Sequence, residues 1–568
     1  MLEPIGQILR RQTPLTEQQL SDALVLQSNE AVPRRIGRIL TEQGIVTENE
    51  ILKALCRQWG FTWLDKIPED KLDKGLLANL PMEFLRKNRI LPLAQSNGSI
   101  TIAVADPLDT TAFDAVVNIL GRPCRRVVCP SSVIEEGLSH YFYQKQDSPA
   151  EELSDIENDE ELTKLTLESG TEDLLDLANR APVVKLVNTF FFQAVQSRAS
   201  DIHIEPYQQQ VKVRFRIDGV LHNKFNLSKH NVAALVSRLK VMANLNIAER
   251  RLPQDGRCRI KIGEKEIDVR VSIVPNSGGE RVVLRLLDKT SAQFSLDQLG
   301  FTAQTKGQFK KLIRMPHGII LLTGPTGSGK TTTLYGAMCE LNTEDRNIMT
   351  VEDPIEYQLP GVGQMQIQPK IGLTFANSLR HILRQDPDVI MVGEIRDIET
   401  ARIAFQSALT GHLVLSTLHT NDSASAITRL IDMGVEPYLV CSSVTGIIAQ
   451  RLVRSICSEC KKAYTPGEEE RLVFENIRLK PDMNTLYKGA GCRHCLNTGY
   501  RGRTGIFELM TMDDTLRDLV MANTRSNVIK LAAAKKGMDT LFEDGLKKVL
   551  AGETTVEEVL RVTQDDII

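Results

Sequence analysis

The residues with the most chemistry in this chain are Gly324-Pro325-Thr326-Gly327-Ser328-Gly329-Lys330-Thr331. They follow the apolar run 318–323 and precede the helical run 332–338. A buried strand ending in a glycine-rich turn that opens a helix lets successive backbone N–H groups converge on one point without Cβ clashes. The helix N-terminus adds partial positive charge. In this pattern Lys330 reaches β- and γ-phosphates and the Thr331 hydroxyl ligates Mg2+. The spacing predicts a site for a nucleoside triphosphate.

Three further apolar runs end in polar groups. Ile348-Met349-Thr350-Val351 leads into Glu352 and Glu356, the run 388–393 into Glu394, and the run 412–418 into His419. Parallel buried strands read this way, and ligands of open α/β sheets bind at their carboxyl ends. Hydrolysis of a γ-phosphate needs Mg2+, an oriented water and positive charge for the transition state. Glu394 is the expected Walker-B acid, and Glu352 or Glu356 the group that polarises the attacking water. His419 is open between a sensor of the γ-phosphate and a satisfied core histidine.

Four of the ten cysteines form Cys457-x-x-Cys460 and Cys492-x-x-Cys495. Two such knuckles joined by a loop are the usual form of a tetrahedral thiolate Zn2+ site, and four protein ligands make it structural, with no open position. His494 lies between two ligands and is not expected to be a fifth. The other six cysteines read as buried thiols in a reducing compartment.

The elements that must position these groups follow in order. Residues 1–62 repeat with a period of 31: Ile5, Gly6, Ile8, Leu9, Thr16, Glu17 and Leu20 recur as Ile36, Gly37, Ile39, Leu40, Thr47, Glu48 and Ile51. Each copy has a capping-box start, Thr16 with Gln19 and Thr47 with Glu50, which predicts two helical hairpins. Residues 63–145 read as a small α/β module with strands around Ile90 and Ile100 and a turn at Ser96-Asn97-Gly98. The acidic run 146–179 reads as a flexible linker. A second α/β unit spans 180–290, with a helix from Val183 to Ser197. Its strands place Asp268, Arg270 and Ser272 on one face and Val269, Val271 and Ile273 on the other, while Arg281 and Arg285 share parity. Such arginines are either a solvated face or a sheet that presents guanidinium forks to phosphate. Residues 297–568 carry the phosphate loop, with the cysteine subdomain at about 455–507.

Composition narrows the function classes. A net charge of -3 and 5% aromatic residues give neither the bulk field nor the stacking surface of a nucleic-acid motor. No apolar run approaches the ~20 residues of a membrane span, and Met1-Leu2-Glu3-Pro4 does not begin a secretory signal. The expectation is a cytoplasmic protein with no nucleic-acid partner.

Taken together, the phosphate loop, Thr350 to Glu356, Arg384 to Asp388 with Gly393 to Asp397, and Thr410 to Thr420 resemble the GspE/PilB family of secretion ATPases. The resemblance covers about 180–568 strongly and the front half loosely. The stretches 199–206, 248–257, 279–288 and 499–505 are more similar to the type II secretion members than to the type IV pilus extension members. It implies an α/β fold in which a PAS-like domain (180–290) packs on a RecA-like ATPase domain, within a homohexamer. It also implies ATP, Mg2+ and Zn2+ as cofactors, Glu352 as the water-activating acid, Glu394 as the Walker-B acid, and His419 in a histidine box. Arg270 and Arg285, with Arg216 as a further candidate, would reach the γ-phosphate as the domains close. The partners implied are an inner-membrane platform and the cytoplasmic domain of a membrane docking protein, with the chain peripherally associated through them. The front repeat resembles a module that binds cyclic di-GMP in some relatives, since Arg35-Ile36-Gly37-x-x-Leu40 fits its signature. The first copy has Pro4 where arginine is expected, so docking onto the membrane partner is the reading taken for this module. A RecA-like DNA motor and a weakly catalytic scaffold are the rivals.

Overall fold

A computed structural model of the chain describes residues 3–29, 35–67, 76, 80, 82–96, 99–135, 137–138, 181–229, 232–262, 265–288, 294–475 and 485–564. The expected acidic linker and the turn residues Asn97 and Gly98 lie outside them. The described chain divides into two compact units, one from the residues up to 138 with 181–189, the other from Phe190 onward.

In the first unit the repeat folds as two helical hairpins, Ile5–Gln12 with Glu17–Asn29 and Ile36–Glu42 with Glu48–Trp59. Both capping boxes form. Thr47 Oγ1 accepts the Glu50 N–H at 3.3 Å while the Glu50 carboxylate accepts the Thr47 N–H at 2.7 Å. Thr16 and Gln19 make the same exchange. A Cβ on Gly6 would lie 2.8 Å from Leu20, and one on Gly37 3.0 Å from Ile51. The repeated glycine therefore exists for one close helix approach, made twice. The strands β1 (Thr62–Trp63), β2 (Ile90–Ser96), β3 (Ser99–Val104) and β4 (Cys124–Val128) form a sheet in the order β1-β4-β3-β2. Leu85, Leu91, Ile100, Ile102 and Val116 form its core.

The helix expected from Val183 runs Ala181–Gln196, and its Phe190 packs on Phe225 with ring centroids 5.0 Å apart. The strands β5 (Ala199–Pro206), β6 (Gln210–Ile217), β7 (Val220–Ser228), β8 (Gln254–Ile262), β9 (Lys265–Asn276) and β10 (Gly279–Asp288) make an antiparallel sheet ordered β7-β6-β5-β10-β9-β8. Val269, Val271 and Ile273 are buried on one face, as their parity requires. On the other face, the buried acids of β5 collect the arginines: Arg285 and Arg216 reach Asp201, and Arg214 and Arg281 reach Glu205.

The remaining strands are β11 (Gly318–Thr323), β12 (Ile348–Glu352), β13 (Gly363–Gln366), β14 (Val389–Val392), β15 (Leu413–Leu418), β16 (Val444–Ile456), β17 (Lys461–Tyr464), β18 (Leu486–Gly489) and β19 (Tyr500–Thr511). Seven of them form the RecA-like sheet, ordered β13-β12-β14-β15-β11-β16-β19, while β17 and β18 pair separately beside the cysteines. All neighbours in the large sheet run parallel except β16 with β19. β11 therefore sits inside the sheet, fully buried, and delivers the phosphate loop at its carboxyl end. The expectation that all six cysteines outside the knuckles are buried holds for three of them: Cys56, Cys129 and Cys441 are buried, whereas Cys124 and Cys258 are half-buried and Cys339 is exposed. Cys339 lies on the outer face of the helix Lys330–Leu341, where helical periodicity turns every third or fourth side chain outward.

Asp544 is buried behind β19, where it accepts the Phe507 N–H at 2.9 Å, and burial pushes its carboxyl from 3.8 up to about 6. An acid whose folded pKa is raised contributes its full stability below the unfolded value and loses it as pH rises through the folded one. Asp544→Asn is therefore expected to melt higher than the parent at pH 8, with the difference closing by about pH 4; thermal scans at the two pH values check it.

Candidate active site

Three left-handed glycines shape the phosphate loop, with φ of 147° at Gly324, 80° at Gly327 and 90° at Gly329. L-residues with a Cβ rarely adopt such angles. Space is also short, since a Cβ on Gly324 would lie 2.5 Å from the Gln450 carbonyl oxygen and one on Gly329 2.8 Å from Gln450 Nε2. Lys330 opens the helix Lys330–Leu341 and is buried. Its Nζ donates to Gly324 O at 2.6 Å and Pro325 O at 3.1 Å. Burial pulls its pKa down to about 8, with Arg451 acting the same way and Glu394 opposing. Ser328 Oγ is buried without a hydrogen-bond partner, while Thr331 is exposed at the first turn. A cation held by loop carbonyls, an orphaned hydroxyl and converging N–H groups fit a phosphate ligand.

The strand-end acids take different surroundings. Glu394 follows β14 with its side chain 14% exposed, paired with Arg396 and, at 3.3 Å, with His419 Nε2. His419 is 51% exposed, so it is a rim residue beside Glu394 and not a core histidine. Glu352 ends β12 and is buried. Its carboxylate accepts from the Tyr335 hydroxyl, from Thr350 Oγ1 at 2.6 Å and from Gln364 Nε2 at 3.0 Å. Tyr335 lies on the helix that Lys330 opens, so the loop and Glu352 share one rigid element. Glu356 is held differently, by both terminal nitrogens of Arg270 at 3.0 and 2.7 Å.

Of the three candidate sheet arginines, Arg270 is the one brought to the loop that follows β12 among the described residues. Arg285 Nε lies 2.9 Å from Asp201, while Arg216 Nε lies 3.7 Å from it and donates from Nη1 to Gly219 O at 2.9 Å. Arg216, Asp201, Arg285, Arg270 and Arg257 nevertheless fall on one register line across the sheet. Sequence reasoning missed several residues: Arg396 on Glu394, the donors around Glu352, and the pair Gln450-Arg451. That pair was the findable one, being two polar residues inside the apolar run Ile447 to Val453.

The four knuckle sulfurs lie within 4.8 Å of one another. Cys457 and Cys492 are 3.9 Å apart, Cys460 and Cys495 3.8 Å, and Cys492 and Cys495 3.7 Å. A tetrahedral ion bound at about 2.3 Å sets sulfur pairs about 3.8 Å apart. The Cys492 and Gly499 N–H groups donate to Cys495 Sγ at 3.2 and 3.3 Å, which suits a thiolate. His494 is exposed, outside this set.

Comparison with known proteins adds the following. Residues 176–561 match the family model described as "Type II/IV secretion system protein", and 64–148 match the MshEN domain. The type II secretion system protein E of Xanthomonas campestris pv. campestris is 48% identical over 510 residues, covering 90% of this chain and 88% of that one. The type IV pilus assembly ATPase PilB of Myxococcus xanthus is 42% identical over 566 residues, 99% of each chain. Among solved structures, the ATPase DotB of Yersinia pseudotuberculosis superposes with a TM-score of 0.50 at 19% identity, over 67% of this chain and 93% of that one, a likeness of fold.

Because a Cβ at position 324 meets backbone at 2.5 Å, Gly324→Ala is expected to weaken binding of a fluorescent ATP analogue by about ten-fold or more while the protein still unfolds cooperatively.

Proposed function

The chain belongs to the type II/IV secretion system protein family, and from that membership we propose that it hydrolyses ATP to ADP and phosphate to drive pseudopilus assembly and protein export by a type II secretion system. The observation that carries this reading is the convergence at one sheet edge of the buried Lys330, the Glu394–His419 pair and the fixed Glu352 carboxylate. Extension of a type IV pilus is the second reading, favoured by the match to the pilus ATPase along 99% of both chains.

In the proposed reaction, the loop N–H groups and Lys330 take the β- and γ-phosphates, and Lys330 gives up its own loop carbonyls for them. Thr331 and Glu394 would hold Mg2+, which supplies positive charge against the developing negative charge on the phosphate oxygens. Glu352 accepts a hydrogen bond from the attacking water while Tyr335, Thr350 and Gln364 keep its carboxylate aimed. His419 steadies Glu394 from the rim and senses the γ-phosphate. Arg270 leaves Glu356 for the γ-phosphate as the six-stranded sheet closes, with Arg285 and Arg216 behind it on the same line. The ring is a homohexamer acting on an inner-membrane platform. The four cysteines, as thiolates, would hold a structural Zn2+ that would tie the two knuckles together. The front unit docks on the cytoplasmic domain of a membrane partner, which keeps the chain at the inner face of that membrane. The MshEN match makes cyclic di-GMP its candidate ligand, although Arg35 is engaged by Asp106 at 2.6 Å.

Lys330→Ala and Glu394→Gln are each expected to abolish secretion, and Glu394→Gln to retain ATP binding; full secretion by both variants would leave only a scaffold role. Cys457→Ser is expected to release the metal and lower the melting temperature of the second unit, and unchanged zinc content by atomic emission would refute the four-thiolate site.

A further inference from the structure

Gln450 is 1% exposed in the middle of β16, among Ile447, Ile448, Ala449, Leu452 and Val453. A buried primary amide in an apolar strand is unfavourable unless its polar ends are used. An aliphatic side chain would fill the same space without that cost. Gln450 Oε1 accepts the hydroxyl of Thr333 at 2.8 Å. Thr333 is fully buried in the first turn of the helix that Lys330 opens. Gln450 Nε2 stands 2.8 Å from where a Cβ on Gly329 would be, against the last glycine of the phosphate loop. The carbonyl oxygen of the same residue stands 2.5 Å from the corresponding point on Gly324, the first glycine. One residue thus meets both ends of the loop and the helix behind it. The register supports the placement, because Ala449 pairs with Thr323, the residue before the loop.

We propose that Gln450 is a positioning residue of the nucleotide site, its side chain holding the phosphate loop in its binding shape through Thr333 and Gly329, while its main-chain carbonyl bounds Gly324. A phosphate site made of backbone N–H groups works only while those groups converge. When the free loop already has that shape, binding needs no reordering. Without Gln450 the loop must be ordered as nucleotide binds, so affinity falls while the bound complex keeps its geometry. A residue that only fills the core would instead lower folding stability and leave the affinity of the folded protein unchanged. This inference rests on the reading of the loop as an ATP site, and binding of Mg2+ with an ATP analogue to the unaltered protein tests that reading separately.

The test compares Thr333→Val, which keeps shape and loses the hydroxyl, with Thr333→Ser, which keeps the hydroxyl and loses a methyl. Gln450→Met and the double variant Gln450→Met with Thr333→Val complete the set. The full chain is assayed for Kd of a fluorescent ATP analogue, for KM and kcat of hydrolysis, and for melting temperature. Thr333→Val and Gln450→Met are each expected to raise Kd and KM about ten-fold, because the cost of ordering the loop then falls on binding, with kcat within about two-fold of the parent. The double variant should bind no worse than either single one, because both remove the same bond. Thr333→Ser should bind like the parent. Unchanged Kd in Thr333→Val, or equal weakening in Thr333→Ser and Thr333→Val, overturns the proposal. Should Gln450→Met fail to fold, the two Thr333 variants decide alone.

Discussion

An ammonium group removed from water needs oxygen partners, and at Lys330 the nearest are the carbonyls of its own loop, Gly324 and Pro325. That need organises the surroundings. The two carbonyls turn inward as the loop bends through left-handed glycines, and at Gly324 and Gly329 neighbouring β16 atoms also leave no room for a Cβ. Burial has lowered the pKa of the amine to about 8, so its charge is held with little to spare. A polyanion would relieve this strain better than two neutral carbonyls, because a charged acceptor binds an ammonium roughly twice as strongly. The loop's own geometry therefore favours an anionic ligand over the two carbonyls that hold the amine.

The rest of the second unit arranges itself around that loop from two sides. On one side β16 lies along β11, carries Gln450 and Arg451 against the loop, and runs directly into Cys457. Its antiparallel partner β19 begins five residues after Cys495. The four sulfurs therefore close the far end of the strand pair whose near end supports the loop. On the other side the six-stranded sheet reaches the loop after β12 through the Arg270–Glu356 pair. A bidentate pair of this kind is specific in geometry, and its two side chains remain about a quarter exposed, within reach of solvent. Such a contact can be exchanged for a phosphate without dismantling the sheet.

Much of this was readable in the residues, and what was not has a physical reason. The phosphate loop, the strands before Glu352, Glu394 and His419, the capping boxes at Thr16 and Thr47 and the cysteine knuckles all rest on local rules of spacing. They lie in the structure where those rules put them. The 31-residue repeat even disclosed Gly6 and Gly37, although their purpose, an approach to Leu20 and Ile51, needed coordinates. Parity told which arginines share a sheet face but not what stands opposite. Arg270 meets Glu356, 86 residues away, whereas Arg285 and Arg216 stay with Asp201 on their own sheet. The environment of His419 was open in the sequence for the same reason, since a strand-end histidine can face core or rim. Gln450 stood out in the sequence as a polar residue in an apolar run, but its partners did not, because Thr333 and Gly329 meet it only through the pairing of β16 with β11.

The most direct test is a structure of the full chain with Mg2+ and a non-hydrolysable ATP analogue. The predicted result is Lys330 Nζ moved from Gly324 O and Pro325 O onto the β- and γ-phosphates, with Arg270 released from Glu356 towards the γ-phosphate. A nucleotide bound while Lys330 stays on its own loop carbonyls and the Arg270–Glu356 pair stays closed would contradict the account.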